Sequence, residues 1–214
     1  MRISKSKLLL FSAAILLASC KKDKTVNPNG GTSQQYYVKG TLNGQAIDWE
    51  VDNKTWGLGY GMTVSTDQNN NGVAELQGVI SSYTSNHGVP AISVGIRTFQ
   101  INNPAQTALT AYFNGFITAG NWNFATNDIL TLGTKEIVIY YNDANGNSYS
   151  SEGVQASNTA SITSVKQVTP PTGINGAIAV NLTFSCTLYN LDGYSPSITL
   201  TNAQVNIRVL NVLY

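Results

Sequence analysis

From Tyr36 onward, apolar residues recur at every second position rather than every third or fourth, and turn residues break the pattern at short intervals. That period predicts strands. Residues 37–42 and 46–51 flank Asn43-Gly44, a pair that tolerates positive φ and therefore predicts a tight hairpin, with Ile47, Trp49 and Val51 on one face of its second strand. Trp56, Leu58, Tyr60, Met62 and Val64 then alternate with Gly57, Gly59 and Gly61, which leaves space for close approach to that backbone. Further strands are predicted at 73–82, 91–97, 116–125, 135–141, 148–152, 159–168, 178–190 and 198–210. In the clearest of these, Val180, Leu182, Phe184, Cys186 and Leu188 share one face while Asn181, Thr183, Ser185 and Thr187 share the other. One short helix fits, over 104–112, with Pro104 in its first turn and Gly115 close beyond it. Strands in this number predict one all-β domain, a two-sheet antiparallel β-sandwich of immunoglobulin-like or jelly-roll-like form, spanning 36–214.

The first 35 residues follow a different rule. Arg2, Lys5 and Lys7 precede an apolar run at 8–18 that ends in Leu17-Ala18-Ser19-Cys20. The run is too short for a membrane span, which needs roughly 20 residues, but suits the core of a cleaved lipoprotein signal peptide over 1–19. Cys20 is then the lipidation site and the mature N-terminus. Each buried methylene adds about 0.8 kcal/mol, so two or three acyl chains anchor a protein durably to a membrane. Residues 20–35 read as the lipidated cysteine followed by a disordered tether, whose reach as a flexible coil is ~20 Å.

Composition sharpens the reading. Charged residues are only 11% of the chain, against roughly 25% in an average soluble domain, which excludes a coiled coil and disfavours a helical bundle. The net charge of +1 owes its sign to the leader and tether, because the residues from Tyr36 onward carry six basic and ten acidic side chains. A nucleic-acid partner is therefore not expected. With Cys20 lipidated, Cys186 is left alone, so no intramolecular disulfide forms, and its place on an apolar face predicts a buried, inert thiol.

Several short motifs appear in a familiar order: Ser19-Cys20-Lys21-Lys22-Asp23, an opening strand with Tyr37, Gly40, Asn43 and Gly44, then Ala119-Gly120-Asn121-Trp122 and Ile162-Thr163. Ile174-Asn175-Gly176 leads into Leu182-Thr183-Phe184-Ser185-Cys186 and Ile198-Thr199-Leu200-Thr201-Asn202-Ala203-Gln204-Val205. Together these resemble lipid-anchored all-β lipoprotein domains of unknown function from Bacteroidota, most closely in the closing strands. The resemblance implies an exported, outer-membrane, lipid-anchored β-sandwich and carries no catalytic residue with it. Basic residues follow Cys20, where surface-export signals of that phylum are richer in Asp and Glu, so periplasmic and surface orientations both stay open.

Candidate chemistry is sparse. Asp67, Asn69 and Asn71 lie in Asp67-Gln68-Asn69-Asn70-Asn71-Gly72, which opens like a calcium loop, and Glu75 occupies the ninth position. The twelfth is Gly78 rather than the bidentate Glu such loops require, so a plain hairpin loop is the favoured reading. Asn142-Asp143-Ala144-Asn145-Gly146-Asn147 offers oxygen ligands too, although Asn-Gly turns are routine. Asp48, Glu50 and Asp52 share a strand face at about 6.5–7 Å spacing, compatible with a glycosidase pair but more simply a solvated face. The single histidine, His87, excludes a His-pair zinc site and reads as a loop residue. Glycan-binding sandwiches stack sugar rings on aromatic side chains. Trp49, Trp56 and Trp122 alternate with apolar neighbours and so belong to the core, leaving Tyr83, Tyr112 and Tyr194, near predicted loops, as candidate ligand-binding residues.

The leading expectation is a non-catalytic binding or adhesion module at the cell envelope, without a cofactor unless calcium binds, whose partner is a glycan or an envelope protein. An envelope polysaccharide hydrolase using Asp48 or Glu50 is one alternative. A structural, fimbria-like subunit donating the apolar run 205–214 as a strand is the other.

Overall fold

The computed structural model describes residues 35–52, 54–66, 72–83, 89–100, 106–126, 135–157, 159–193 and 196–212. They form eleven strands and one helix: β1 Tyr37–Leu42, β2 Gln45–Glu50, β3 Trp56–Thr66, β4 Gly72–Ser82, β5 Ala91–Gln100, α1 Gln106–Phe116, β6 Gly120–Phe124, β7 Glu136–Asn142, β8 Ser148–Ser150, β9 Thr159–Gln167, β10 Gly176–Asn190 and β11 Ile198–Asn211. The all-β class predicted from the alternation is what the chain adopts. Hydrogen bonding runs through one continuous path, β2-β1-β11-β10-β9-β6-β7-β5-β4-β3. Every neighbour on it is antiparallel except β6 and β7, which pair in parallel, so the sheet is mixed.

This path doubles back on itself. β4 packs across β11, where a Cβ at Gly78 would lie 2.6 Å from the Arg208 carbonyl oxygen and 2.7 Å from Ile207 Cγ1, so the two layers meet there backbone to backbone. Joined at one side through β6, the layers are tied again by β8, which pairs with both β7 and β10. One apolar core fills the space between them, with Leu76, Ile80, Ile92 and Ile96 on one side and Ile178, Val180, Leu182, Val205 and Ile207 on the other. Cys186 lies in this core, and burial pushes its thiol up to about 12.

Local chemistry sets the turns. Asn43 and Gly44 adopt φ of 48° and 81°, the left-handed pair that a two-residue hairpin demands. In β11 the inward parity changes from Ile198 and Leu200 to Ala203, Val205, Ile207 and Val209. The cause is a bulge at Asn202, which takes φ 51° while Gly40 opposite it leaves room for the Thr201 carbonyl.

The predicted strand at 116–125 and helix at 104–112 need correction. The helix extends to Phe116, and the strand starts only at Gly120. Phe113 and Phe116 anchor that last turn, with ring centroids 6.1 and 5.3 Å from Phe99, and Phe116 meets Trp122 edge-on at 5.9 Å. Gly115 faces solvent with open space around it and does not end the helix. Lys135 instead caps the helix, donating from Nζ to the Phe116 carbonyl at 2.7 Å. The apolar run 205–214 proposed as a donated strand lies in β11 as far as Asn211, paired with β10 to Asn211 and with β1 to Asn206, while its residues 213 and 214 lie outside the described residues. The strand-donor reading thereby loses its motivating feature.

Candidate functional site

Two hairpins and one strand start build a cleft of about 230 Å³ at one end of the domain. Leu42, Asn43 and Gln45 come from the β1–β2 turn; Tyr141, Asp143 and Tyr149 come from the β7–β8 hairpin; Ile198 opens β11. The tyrosine rings stack with centroids 5.7 Å apart. Tyr141 in turn touches Trp49 at 6.4 Å, and Trp49 stacks on Trp56 at 4.2 Å, so an aromatic row runs from the cleft to the seam between the edge strands β2 and β3. Both tryptophans are half-buried against the core and Trp122 is fully buried, as the alternation predicted.

Asp143 holds the β7–β8 turn together. Its Oδ1 accepts the backbone N–H groups of Asn145 and Asn147, each at 2.8 Å, and its Oδ2 accepts from Asn147 Nδ2 at 2.7 Å. Partial burial opposes the charge, but these donors outweigh it and hold the carboxyl below its ordinary value. The turn is therefore closed by hydrogen bonds to its own carboxylate. In contrast, the Tyr141 and Tyr149 phenols and the Asn43 and Gln45 side-chain amides make no hydrogen bond to any described residue, although all four line the same cleft. Burial, with Asp143 and Tyr149 adding to it, pushes the Tyr141 phenol up, so it remains a donor at neutral pH. A second, broader depression of about 440 Å³ over the β11 bulge is lined mainly by Ser, Thr, Asn and Gln side chains and has no stacked aromatic pair.

The chain matches no family model, no curated protein and no solved structure. Geometry alone must therefore carry the functional argument. Among the described residues, no group of three His, Cys, Asp or Glu side chains converges on a metal position, and no helix is long and apolar enough to cross a membrane.

The residues singled out from the sequence are dispersed. Asp48 and Glu50 both bond Lys39 of the neighbouring strand, at 3.2 and 2.6 Å, and Glu50 also accepts from Gln35 at 2.7 Å. Asp52 caps the next turn by accepting the N–H groups of Lys54, Thr55 and Trp56 at 2.7–3.0 Å, bonds that lower its carboxyl to about 2. Tyr83 is 53% exposed, with its hydroxyl against Gly57, whereas Tyr112 leans on Phe99 and Phe116 as the rim of the aromatic cluster. The structure does not bring these two together. Asp67, Asn69, Asn71, His87 and Tyr194 lie outside the described residues.

Glu75, read as a ninth-position calcium ligand, is 1% exposed inside β4 and takes Arg97 as its partner, with Nε–H donating to Oε2 at 2.6 Å. Gln77 donates to its other oxygen at 2.5 Å, and the Tyr140 hydroxyl reaches Oε2 at 3.1 Å. Arg97 also bonds the Tyr140 oxygen at 3.0 Å and Glu152, which accepts in addition from Ser150 at 3.0 Å. Burial disfavours the guanidinium charge, but Glu75, Tyr140 and Glu152 outweigh it and bind the proton more tightly than usual. Burial, reinforced by Glu75, likewise raises the Tyr140 phenol far above its ordinary range. This is a packed ionic network with its hydrogen bonds made internally, and it has the character of a structural element rather than an open reaction centre. Sequence reasoning missed both it and the cleft. The signals were an Arg and a Glu inside otherwise apolar strands, and two tyrosines flanking an Asn-Gly turn.

Proposed function

We propose that this protein is a lipid-anchored lipoprotein of the outer membrane, tethered at Cys20, whose β domain is a non-catalytic binding module with its ligand site in the end cleft. The ligand class that fits is a neutral glycan. One observation carries this reading: the Asn43 and Gln45 side-chain amides and the phenols of the stacked Tyr141–Tyr149 pair line a single cleft without hydrogen-bond partners among the described residues. Sugar recognition needs an apolar ring face beside donors and acceptors for hydroxyls. Tyr149 is only 5% exposed and belongs to the core, so the partly buried Tyr141 ring is the face offered, beside the Asn43 and Gln45 amides. At about 230 Å³ the cleft is smaller than the roughly 300–1,000 Å³ of typical small-molecule pockets, which suits a terminal sugar or one side of a chain. The hydrolase alternative draws no support from Asp48 and Glu50, which are both tied to Lys39.

The test is a thermal-shift screen of the full chain in detergent against neutral oligosaccharides and polysaccharides. A ligand at 100 times its Kd stabilises by about 2.7 kcal/mol. The expected result is a shift that Tyr149→Phe and Gln45→Ala each reduce while leaving the unliganded melting temperature nearly unchanged. A saccharide shift that both variants preserve, or no shift across the panel, overturns the assignment and favours an envelope protein as partner. Loss of fatty-acid labelling in Cys20→Ser tests the anchor separately.

A further inference from the structure

The two edges of the sheet are built differently. β2 is six residues long and carries Asp48 and Glu50, charges that discourage pairing with another chain. β3 has eleven residues, Trp-Gly-Leu-Gly-Tyr-Gly-Met-Thr-Val-Ser-Thr, without a charge or a proline, and pairs with β4 in unbroken register from Trp56 to Thr66. Tyr60, Met62 and Val64 are 51, 38 and 43% exposed along it. Among the described residues no strand pairs with this edge beyond Trp56, and no charge or proline within β3 blunts it.

Trp56 fixes which residues turn their backbone outward. Its N–H donates to Asp52 Oδ1 at 3.0 Å and its carbonyl accepts the Asp52 N–H at 3.2 Å, both on the side away from β4. Orientation alternates along an antiparallel strand, so Leu58, Tyr60, Met62 and Val64 direct their N–H and C=O groups to the same open edge. These residues also carry the apolar side chains on one face. An antiparallel copy of β3 related by a twofold axis at Gly61 sets Leu58 opposite Val64 and Tyr60 opposite Met62. All four are hydrogen-bonding positions in that register, giving about eight inter-strand bonds. Apolar side chains meet apolar side chains throughout, and Asp52, by occupying the Trp56 backbone groups, ends the ladder.

The geometry points to a second copy of this chain as the partner of β3, forming a twofold dimer with a sheet continuous across the interface. A single strand pair buries less than the 1,200–2,000 Å² of a standard stable interface, so the dimer is concentration-dependent and favoured where copies are crowded on a surface. It leaves the end cleft uninvolved, so it stands or falls independently of the glycan reading.

Sedimentation velocity of the full chain in detergent, from 1 µM to 1 mM, reads the association. A monomer–dimer equilibrium is expected, shifted toward monomer by at least tenfold in Met62→Lys and in Val64→Lys, whose positions are already exposed. Circular dichroism confirms that the variants fold. Register is read by Gly59→Cys/Thr63→Cys, which places cysteines opposite each other at non-hydrogen-bonded positions about 4.5 Å apart between Cα atoms, within disulfide range. Residue 59 of one copy then cross-links to 63 of the other under mild oxidation, and the parent chain does not. A chain that stays monomeric at 1 mM overturns the proposal, as does a dimer that both lysine variants leave intact.

Discussion

Replacing Arg97 with Met keeps the bulk of the side chain and removes its charge, leaving Glu75 as a carboxylate only 1% exposed. Breaking a buried ion pair from one side generally costs about 3–5 kcal/mol, because the abandoned charge is neither solvated nor paired. In this case Glu75 keeps two neutral donors, Gln77 Nε2 at 2.5 Å and the Tyr140 hydroxyl at 3.1 Å, which places the expected loss near the lower end, at about 3 kcal/mol. Each kcal/mol moves the melting temperature by roughly 2–4 °C in a domain of this size, so Arg97→Met should melt about 6–12 °C below the parent. Glu75→Leu/Arg97→Met removes both charges together, while Glu152 retains Ser150 as a donor and partial access to water. The double variant should therefore recover at least half of the loss, by urea denaturation followed through tryptophan fluorescence. A single-variant cost under about 1 kcal/mol, or a double variant no more stable than the single, would refute the view that the pair is held by mutual desolvation.

Two further outcomes follow from carboxyl and thiol environments. Backbone donors from Lys54, Trp56 and Thr55 depress the folded-state value of Asp52 to about 2, below the roughly 3.9 of an unfolded chain, so its contribution is fully present above that higher value and disappears as pH falls toward 2. The stability gap between parent and Asp52→Ala, measured by thermal melts at successive pH values, should be flat from pH 7 to about 5 and close by pH 2; a gap that persists at pH 2 contradicts the turn-capping account. The Cys186 thiol, pushed up to about 12 by burial, should not react with a thiol-specific chromogenic disulfide at pH 8 in the folded protein and should react at once in denaturant. Rapid native labelling would place it outside the core.

Where one face of a strand is buried and the other is wet, the alternation displays the element directly, and β1 and β10 fall within two residues of their expected bounds. Legibility fails where tertiary contact overrides the local period. The last turn of α1 depends on Phe99, which joins it only in the folded chain, so the apolar run from Phe116 looked like the start of a strand. The parity change at Asn202 requires Gly40, more than 160 residues earlier, to accept the bulge. The end cleft is hidden for the same reason. Asn43, Gln45, Tyr141 and Tyr149 look like ordinary turn and strand residues until two hairpins distant in sequence are brought to one end of the domain.

The Glu75–Arg97 pair shows what a sequence sparse in charge gains by burying some of it. β4 and β5 are buried on both faces around this pair, so hydrophobic patterning alone says little about which face belongs inside. Their ladder already skips register between Ala74 and Leu76, next to Glu75. A one-residue slip of either strand would drive a carboxylate or a guanidinium into the apolar core between the layers, separated from its partner, at a cost of several kcal/mol. Gly95 makes the same choice sterically, since a Cβ there would fall 2.6 Å from Glu75 Oε1 and from Val138 Cγ1. Two charges and a glycine thus select one register where the surrounding valines, isoleucines and leucines would accept more than one, and that register in turn fixes β7 against β5 and carries Tyr141 and Tyr149 to the cleft.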